Sequence, residues 1–352
     1  MERPSRLRKW FVYIVAFIVL STALGYVLDF FPEEEKELRR EVRKAVESTF
    51  PEQAAEVAKS FGLVSFPEVE SGPVAVDPGA TSVVLIHGLD DPGLVWMNLA
   101  PALKDEHINV WKMYYPNDQP IVDSASLFHD ELARLKQSGI NEVTIVAHSM
   151  GGLVSREMLT NPQFSYIEKA QNDELPRVNA LVMIGTPNHG SEWARYRFFA
   201  EIRDQWINVV ENGAPILRGF MDGAGEAQID LRPDSQFLTA LNSRPHPEGV
   251  RLLTISGIVS PFEDKEVNAF LYSNFEESTA DEAAALIKSM SDGLGDGLVT
   301  VDSSRLQGVE YRTVSGTHLT MIRNLTAEST DVPPSIPIII EFLRQLPDSS
   351  HP

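Results

Sequence analysis

The chain has no cysteine in its 352 residues. Disulfides, thiolate-bound metals and cysteine nucleophiles are therefore excluded together. Basic charge is scarce as well: 30 Lys and Arg stand against 50 Asp and Glu, a net charge of -20. So acidic a chain repels phosphate backbones, and no basic stripe offsets this, so nucleic acid is not expected as a partner. Internal repeats and low-complexity tracts are missing too, which argues against a solenoid or a disordered array. What remains is a chain long enough to bury a sizeable core, in one large domain or a domain with a small appendage.

One long apolar run is present, near the N-terminus. Arg3, Arg6, Arg8 and Lys9 precede Trp10 to Leu28, which carries no charge. Its 19 residues would reach about 28 Å as a helix, close to the hydrocarbon thickness of a bilayer. Residues 1–31 thus read as a basic n-region and signal-anchor, with the basic cluster cytoplasmic and the remaining chain exported. The alternative is a cleaved signal peptide, because Ser21-Thr22-Ala23 offers small residues for cleavage after Ala23. Either way the rest of the chain leaves the cytoplasm.

Residues 32–66 read as a helical juxtamembrane stalk. Pro32 and Glu33 to Glu35 suit a helix start, and Leu38, Val42, Val46 and Phe50 recur every four residues as a thin apolar stripe. A second short helix, Pro51 to Phe61, is expected to stop at Gly62. Pro67 to Gly79, rich in Pro, Gly and acid, is the expected linker into a main domain over 67–352. From there strands alternate with helices. Strands are expected at Val83–Ile86, Val110–Tyr114, Val143–Ala147, Ala180–Ile184, Arg251–Ile255 and Tyr311–Val314. Helices are expected at Trp96–Leu103, Ser124–Lys136, Gly152–Leu159 and Ile336–Leu346. This alternation predicts an α/β fold, a mostly parallel sheet covered on both faces, with its chemistry at the carboxyl ends of the strands.

The suspicious residues fall at those ends. Ser149 lies between an apolar strand and a helix, in Val-Ala-His-Ser-Met-Gly-Gly. A serine held in a tight strand-to-helix turn needs small neighbours two residues either side, because the backbones nearly touch. Gly151 meets that demand and Ala147 adds one methyl. His87-Gly88-Leu89 closes the first strand, which makes the N–H groups of Leu89 and Met150 the candidates for binding a developing oxyanion. A base would be a histidine. Of the eight present, His318 sits in a loop after the last strand, whereas His189 precedes any plausible acid. The acid should lie between serine and histidine in the chain, where Asp292, Asp296 and Asp302 cluster. Gly295 and Gly297 allow a tight turn around Asp296, which is preferred, with Asp292 the runner-up.

Taken together, the stretches VLIHGL, VAHSMGGLVSR, IGTPNHGS, GDGLVTVDS and SGTHL, spread over residues 84–319, resemble α/β-hydrolases of the bacterial lipase and esterase group. The resemblance implies an α/β-hydrolase fold and an acyl-enzyme mechanism. His318 would deprotonate Ser149, Asp296 would hold the imidazole, and the Leu89 and Met150 amides would bind the oxyanion. The expected substrate is a lipid or other acyl ester, and no cofactor is expected. Several similar lipases bind calcium through an acid directly after the histidine; Leu319 stands there, so no metal is expected. Residues of about 190–248 are the expected lid or cap, with Trp193, Tyr196, Phe199, Arg203, Trp206 and Val210 at helical spacing. The same triad could serve an acyltransferase or thioesterase. A catalytically silent, membrane-tethered binding module is the reading of a different class, and it has no need of all of Ser149, Asp296 and His318.

Overall fold

The computed structural model describes residues 31–68, 80–89, 91, 93–192, 225–259, 272–273, 281, 293–326 and 328–347. The apolar run Trp10–Leu28 lies outside them. Among the described residues no helix is long and apolar enough to cross a membrane.

In chain order the described elements are α1 (Pro32–Thr49), α2 (Pro51–Ala58), β1 (Gly62–Phe66), β2 (Ser82–Ile86), a 3-10 turn (Leu94–Trp96), α3 (Leu99–Asp105), β3 (Asn109–Tyr114), α4 (Ile121–Gln137) and β4 (Glu142–His148). They continue with α5 (Met150–Thr160), α6 (Tyr166–Gln171), β5 (Arg177–Ile184), α7 (Glu226–Asp230), α8 (Gln236–Asn242), β6 (Arg251–Ile258), α9 (Val301–Ser304), β7 (Glu310–Ser315) and α10 (Ser335–Arg344). The strands form one seven-stranded sheet in the order β1-β3-β2-β4-β5-β6-β7. Every pairing is parallel except β1 with β3.

The parallel strands are continuous apolar runs because both of their faces are buried. Alternation then sorts their side chains. Val84 and Ile86 of β2 join Phe128 and Leu132 of α4 and Leu153 and Val154 of α5 in one core. Val83 and Leu85 point the other way, to Leu99 and Leu103 of α3 and Ile339 and Phe342 of α10. In β4 the same alternation puts Ala147 in the first core and Val146 in the second.

Three expectations need correction. The stalk assigned to residues 32–66 is helical only over α1 and α2. Its last five residues, Gly62–Phe66, are the antiparallel edge strand β1, in register with Tyr114 to Val110. Gly62 does not stop a helix there; its φ of +129° opens the strand beside the Glu131 carboxylate, which accepts a hydrogen bond from Leu63 N at 2.9 Å. The helix expected at Trp96–Leu103 is broken into the 3-10 turn and α3. Pro101 has no N–H to give to Met97, so the α-helix begins at Leu99 with the proline in its first turn. Finally, the lid residues Trp193 to Val210 lie outside the described residues, whereas the last part of the expected cap is body: Ala227, Leu231, Leu238 and Leu241 belong to the core around α4 and α5.

Candidate active site

Ser149 joins β4 to α5 with φ 54° and ψ -128°, a conformation that non-glycine residues rarely hold. Its N–H donates to Ile184 O of β5 at 2.8 Å, and its own carbonyl accepts from Gly152 N at 3.1 Å. The turn survives because what surrounds it is small. A methyl on Gly151 would stand 2.4 Å from Ile86 O, one on Gly152 2.2 Å from Thr186 Oγ1, and one on Gly88 2.7 Å from Ser149 Cβ. Ala147, by contrast, pairs with Ile86 and Met183 and is fully buried, its methyl taken into the core.

His318 follows β7 in a loop, and its Nδ1 lies 2.7 Å from Asp296 Oδ2. A second tie runs along the main chain, where His318 N donates to Asp296 O at 2.9 Å. The other oxygen of Asp296 accepts from Leu298 N at 2.9 Å and Val299 N at 2.8 Å, which fixes the plane of a carboxylate only 2% exposed. Gly185 leaves room for the pair: a methyl there would lie 3.0 Å from Asp296 Oδ2 and 3.2 Å from the His318 ring. Asp302 is exposed, and Asp292 lies outside the described residues.

The residue before the serine turns out to belong to the same arrangement. His148 Nε2 lies 2.8 Å from the carbonyl oxygen of His318, and the two rings are 4.6 Å apart. A carbonyl only accepts, so Nε2 carries the proton. Nδ1 is buried without a hydrogen-bond partner. Burial, reinforced by the neighbouring His318, pushes the His148 pKa down to about 3, so the ring is neutral. Sequence reasoning passed over His148 because a residue beside the serine cannot act as its base; the β4 alternation that sends its side chain away from Ala147 was the available signal.

Of the oxyanion candidates, Met150 follows the serine directly, and Leu89 follows Gly88, which packs closely on Ser149. Met150 opens α5, where the first N–H groups of a helix have no partner within it. Leu89 ends the His87-Gly88-Leu89 segment after β2. That segment is pinned from beneath: His87 stacks on Tyr115 with centroids 4.6 Å apart, Tyr115 Oη donates to His87 O at 2.6 Å, and His87 Nδ1 reaches Gly88 O at 2.9 Å. Burial lowers the His87 pKa and keeps that ring neutral too.

Comparison with known proteins agrees with this architecture. Residues 105–260 match the model of a family described as PGAP1-like alpha/beta domain. The crystal structure of the metagenomic carboxyl esterase MGS0156 superposes with a TM-score of 0.51 at 19% identity, covering 78% of this chain and 77% of that one. The chain has the α/β-hydrolase fold. The mature lipase BlEst2 of Bacillus licheniformis is also similar (TM-score 0.49, 19% identity, 77% of this chain and 96% of that one). So is the phospholipase PlaB of Legionella pneumophila (TM-score 0.49, 16% identity, 76% and 60%). No curated protein matches the sequence.

Within this fold the segment Thr186-Pro-Asn-His-Gly-Ser acts as a brace. Asn188 Nδ2 donates to Ser304 O at 2.8 Å, His189 N to Ser303 O at 2.9 Å, and Ser191 Oγ to Leu298 O at 2.6 Å. These bonds tie the end of β5 to the stretch that carries Asp296. Arg156 of α5 holds the brace from behind, giving Nη1 to Asn188 Oδ1 and Nη2 to Asn242 Oδ1, both at 2.9 Å. Burial lowers the Arg156 pKa to about 10, which still leaves it charged. His189 therefore has a structural part, its Nε2 lying 3.0 Å from Arg305 O. Among the described residues no cluster of acids and histidines could hold a metal ion.

Proposed function

We propose that the chain is a membrane-anchored serine hydrolase of carboxyl esters, with lipid or other acyl esters as substrates. The observation that carries this is the buried His318–Asp296 pair at 2.7 Å, whose histidine is hydrogen-bonded by His148, the residue before Ser149. In this reading Ser149 Oγ attacks the ester carbonyl while His318 Nε2 takes its proton. Asp296 stabilises the imidazolium that forms and holds the Nδ1–H tautomer. The negative charge arising on the carbonyl oxygen is met by the N–H groups of Met150 and Leu89. As the tetrahedral intermediate collapses, the C–O bond breaks and His318 returns the proton to the departing alcohol. Water then repeats the sequence on the acyl-serine, with His318 again the base, and the carboxylic acid leaves.

The fold shared with a carboxyl esterase is in keeping with ester cleavage, and the run Trp10–Leu28 supports anchoring with the hydrolase body exported. The test is labelling by a fluorophosphonate, together with turnover of p-nitrophenyl esters of rising chain length, by the full chain and by Ser149→Ala. Labelling and turnover that both vanish in Ser149→Ala are expected. Turnover that survives the substitution would refute the assignment.

A further inference from the structure

Helix α1 is turned with its charged side inward. A helix against a protein body ordinarily buries its apolar stripe. Here Glu35 is 3% exposed and receives Arg232 Nη2 at 3.0 Å and Arg39 Nη2 at 2.6 Å. Lys36 pairs with Asp230, and Arg43 reaches both Glu226, at 3.1 Å, and Asp123, at 3.2 Å. Glu226 and Asp230 are buried, so these contacts fix the rotation of the helix about its axis. The apolar residues of its first half are left outside, Phe31 52% exposed, Leu38 53% and Val42 40%, whereas Val46 is half-buried. At 100° per residue the three exposed residues fall within about 40° of one another, and the inward charges run on from their edge, from Glu35 about 40° round to Lys36 about 140° round.

We propose that this stripe rests in the headgroup layer of a zwitterionic bilayer. The proposal depends on Trp10–Leu28 being a retained span. Phe31 is then three residues from the end of the span, within about 10 Å even if the chain is fully extended, a distance comparable to the depth of the headgroup region. The helix that begins at Pro32 cannot start far from the membrane, and its orientation is already set by the body. The exposed charges on the flank of the stripe are mostly acidic, Glu34, Glu37 and Glu41 with Lys44, and the chain as a whole is strongly acidic. Neutral rather than anionic lipid is the matching surface.

The docking point matters for function. Asp230, which pairs with Lys36, also accepts a hydrogen bond from Ile121 N at 3.0 Å. Ile121 follows the loop that leaves the carboxyl end of β3. So α1 meets the body on the side of the sheet where Ser149 stands, and contact of its stripe with lipid holds that side next to the bilayer from which an acyl ester would come.

The absence of cysteine makes the test direct. Single cysteines at Leu20, Glu37, Leu38 and Val42 in the full chain are labelled with a nitroxide, and the protein is placed in phosphatidylcholine nanodiscs. Collisions with oxygen and with a water-soluble nickel chelate are then compared. The expected result is oxygen-favoured collision at Leu20→Cys, Leu38→Cys and Val42→Cys, and nickel-favoured collision at Glu37→Cys. A deep Leu20→Cys label with Leu38→Cys and Val42→Cys as open to nickel as Glu37→Cys overturns the proposal while the span stands. A nickel-accessible Leu20→Cys label removes the span and the proposal with it, yet leaves the hydrolase assignment to the Ser149→Ala test. Spin–spin broadening at Leu38→Cys that disappears on mixing with unlabelled protein would also overturn it, because the stripe would then face a second copy.

Discussion

His148 donates from Nε2 to the main-chain carbonyl of His318 at 2.8 Å while its ring lies 4.6 Å from the His318 ring. His318 is thus held at three points: at Nδ1 and at its own N–H by Asp296, and at its carbonyl by the residue preceding the serine. We expect His148 to position His318 without touching the substrate. His148→Phe keeps a ring but loses the donor, and kcat should fall on the order of tenfold to a hundredfold, as displacements of about 1 Å do, with KM unchanged. His148→Gln restores a donor and should recover most of the loss. If both variants retain wild-type kcat, or if KM moves as much as kcat, the positioning part is refuted.

The same ring makes stability depend on pH. His148 is neutral in the folded chain down to about pH 3, but takes a proton near pH 6.5 once unfolded. Between those values the unfolded state binds the extra proton, so the contribution of this site to stability is complete above about 6.5 and is lost as pH falls toward 3. The slope is about 1.36 kcal/mol per pH unit for one proton. Denaturant unfolding of wild type and His148→Gln at a series of pH values should show the wild type losing stability on acidification more steeply, by close to that slope. Parallel curves for the two proteins would show that the ring is not neutralised by burial.

Asp296 has two separable duties, one per oxygen. Oδ1 accepts from Leu298 N and Val299 N, and Oδ2 meets His318 Nδ1. In Asp296→Asn the amide oxygen can stay with the two backbone donors, which sends the NH2 toward Nδ1 and forces the wrong imidazole tautomer. A fall in kcat of about 10⁴, the size seen when the acid of a serine triad becomes an amide, is expected with little change in melting temperature. Asp296→Ala should lose both activity and stability, since the buried Val299 N–H loses its acceptor at about 1–3 kcal/mol and the part-buried Leu298 N–H loses the same partner. Asp296→Asn at wild-type activity would return Asp292 to consideration as the acid.

Six of the strands and the elbow were legible because each rests on a local pattern: a short apolar run, or a serine among small residues between strand and helix. The pairing of His318 with Asp296 was reached by chain order and by Gly295 and Gly297, which free the backbone around the acid. Other features were hidden for physical reasons. β1 is five residues long and gains its place only by pairing with β3, a partner more than 40 residues away. The orientation of α1 was misleading because its apolar spacing suggests an inward stripe, whereas Glu226, Asp230 and Arg232, nearly 200 residues away in the chain, draw its charges inward. Asn188 and Arg156 were also missed; a buried Arg–Asn brace leaves no periodic trace.

Gly152 and Thr186 offer the sharpest test of how tightly the elbow is built. A methyl on Gly152 would lie 2.2 Å from Thr186 Oγ1 and 2.7 Å from Cγ2, so Gly152→Ala must displace either α5 or the end of β5. A cost of about 1–3 kcal/mol is expected for such overpacking, along with slower fluorophosphonate labelling, because Ser149 rides on the same turn. Thr186 Oγ1 is buried and unpaired, so Thr186→Ala alone should be close to neutral, removing an unsatisfied hydroxyl as well as a methyl. The double variant should then recover part of the stability and labelling lost in Gly152→Ala. Recovery should be incomplete, because Thr186 Cβ would itself stand 2.9 Å from the new methyl. A coupling of 0.5 kcal/mol or more, about the lower bound for residues in contact, is the expected outcome of the cycle. Strict additivity would mean that the elbow and the β5 end move independently, contrary to the close approach of these two residues.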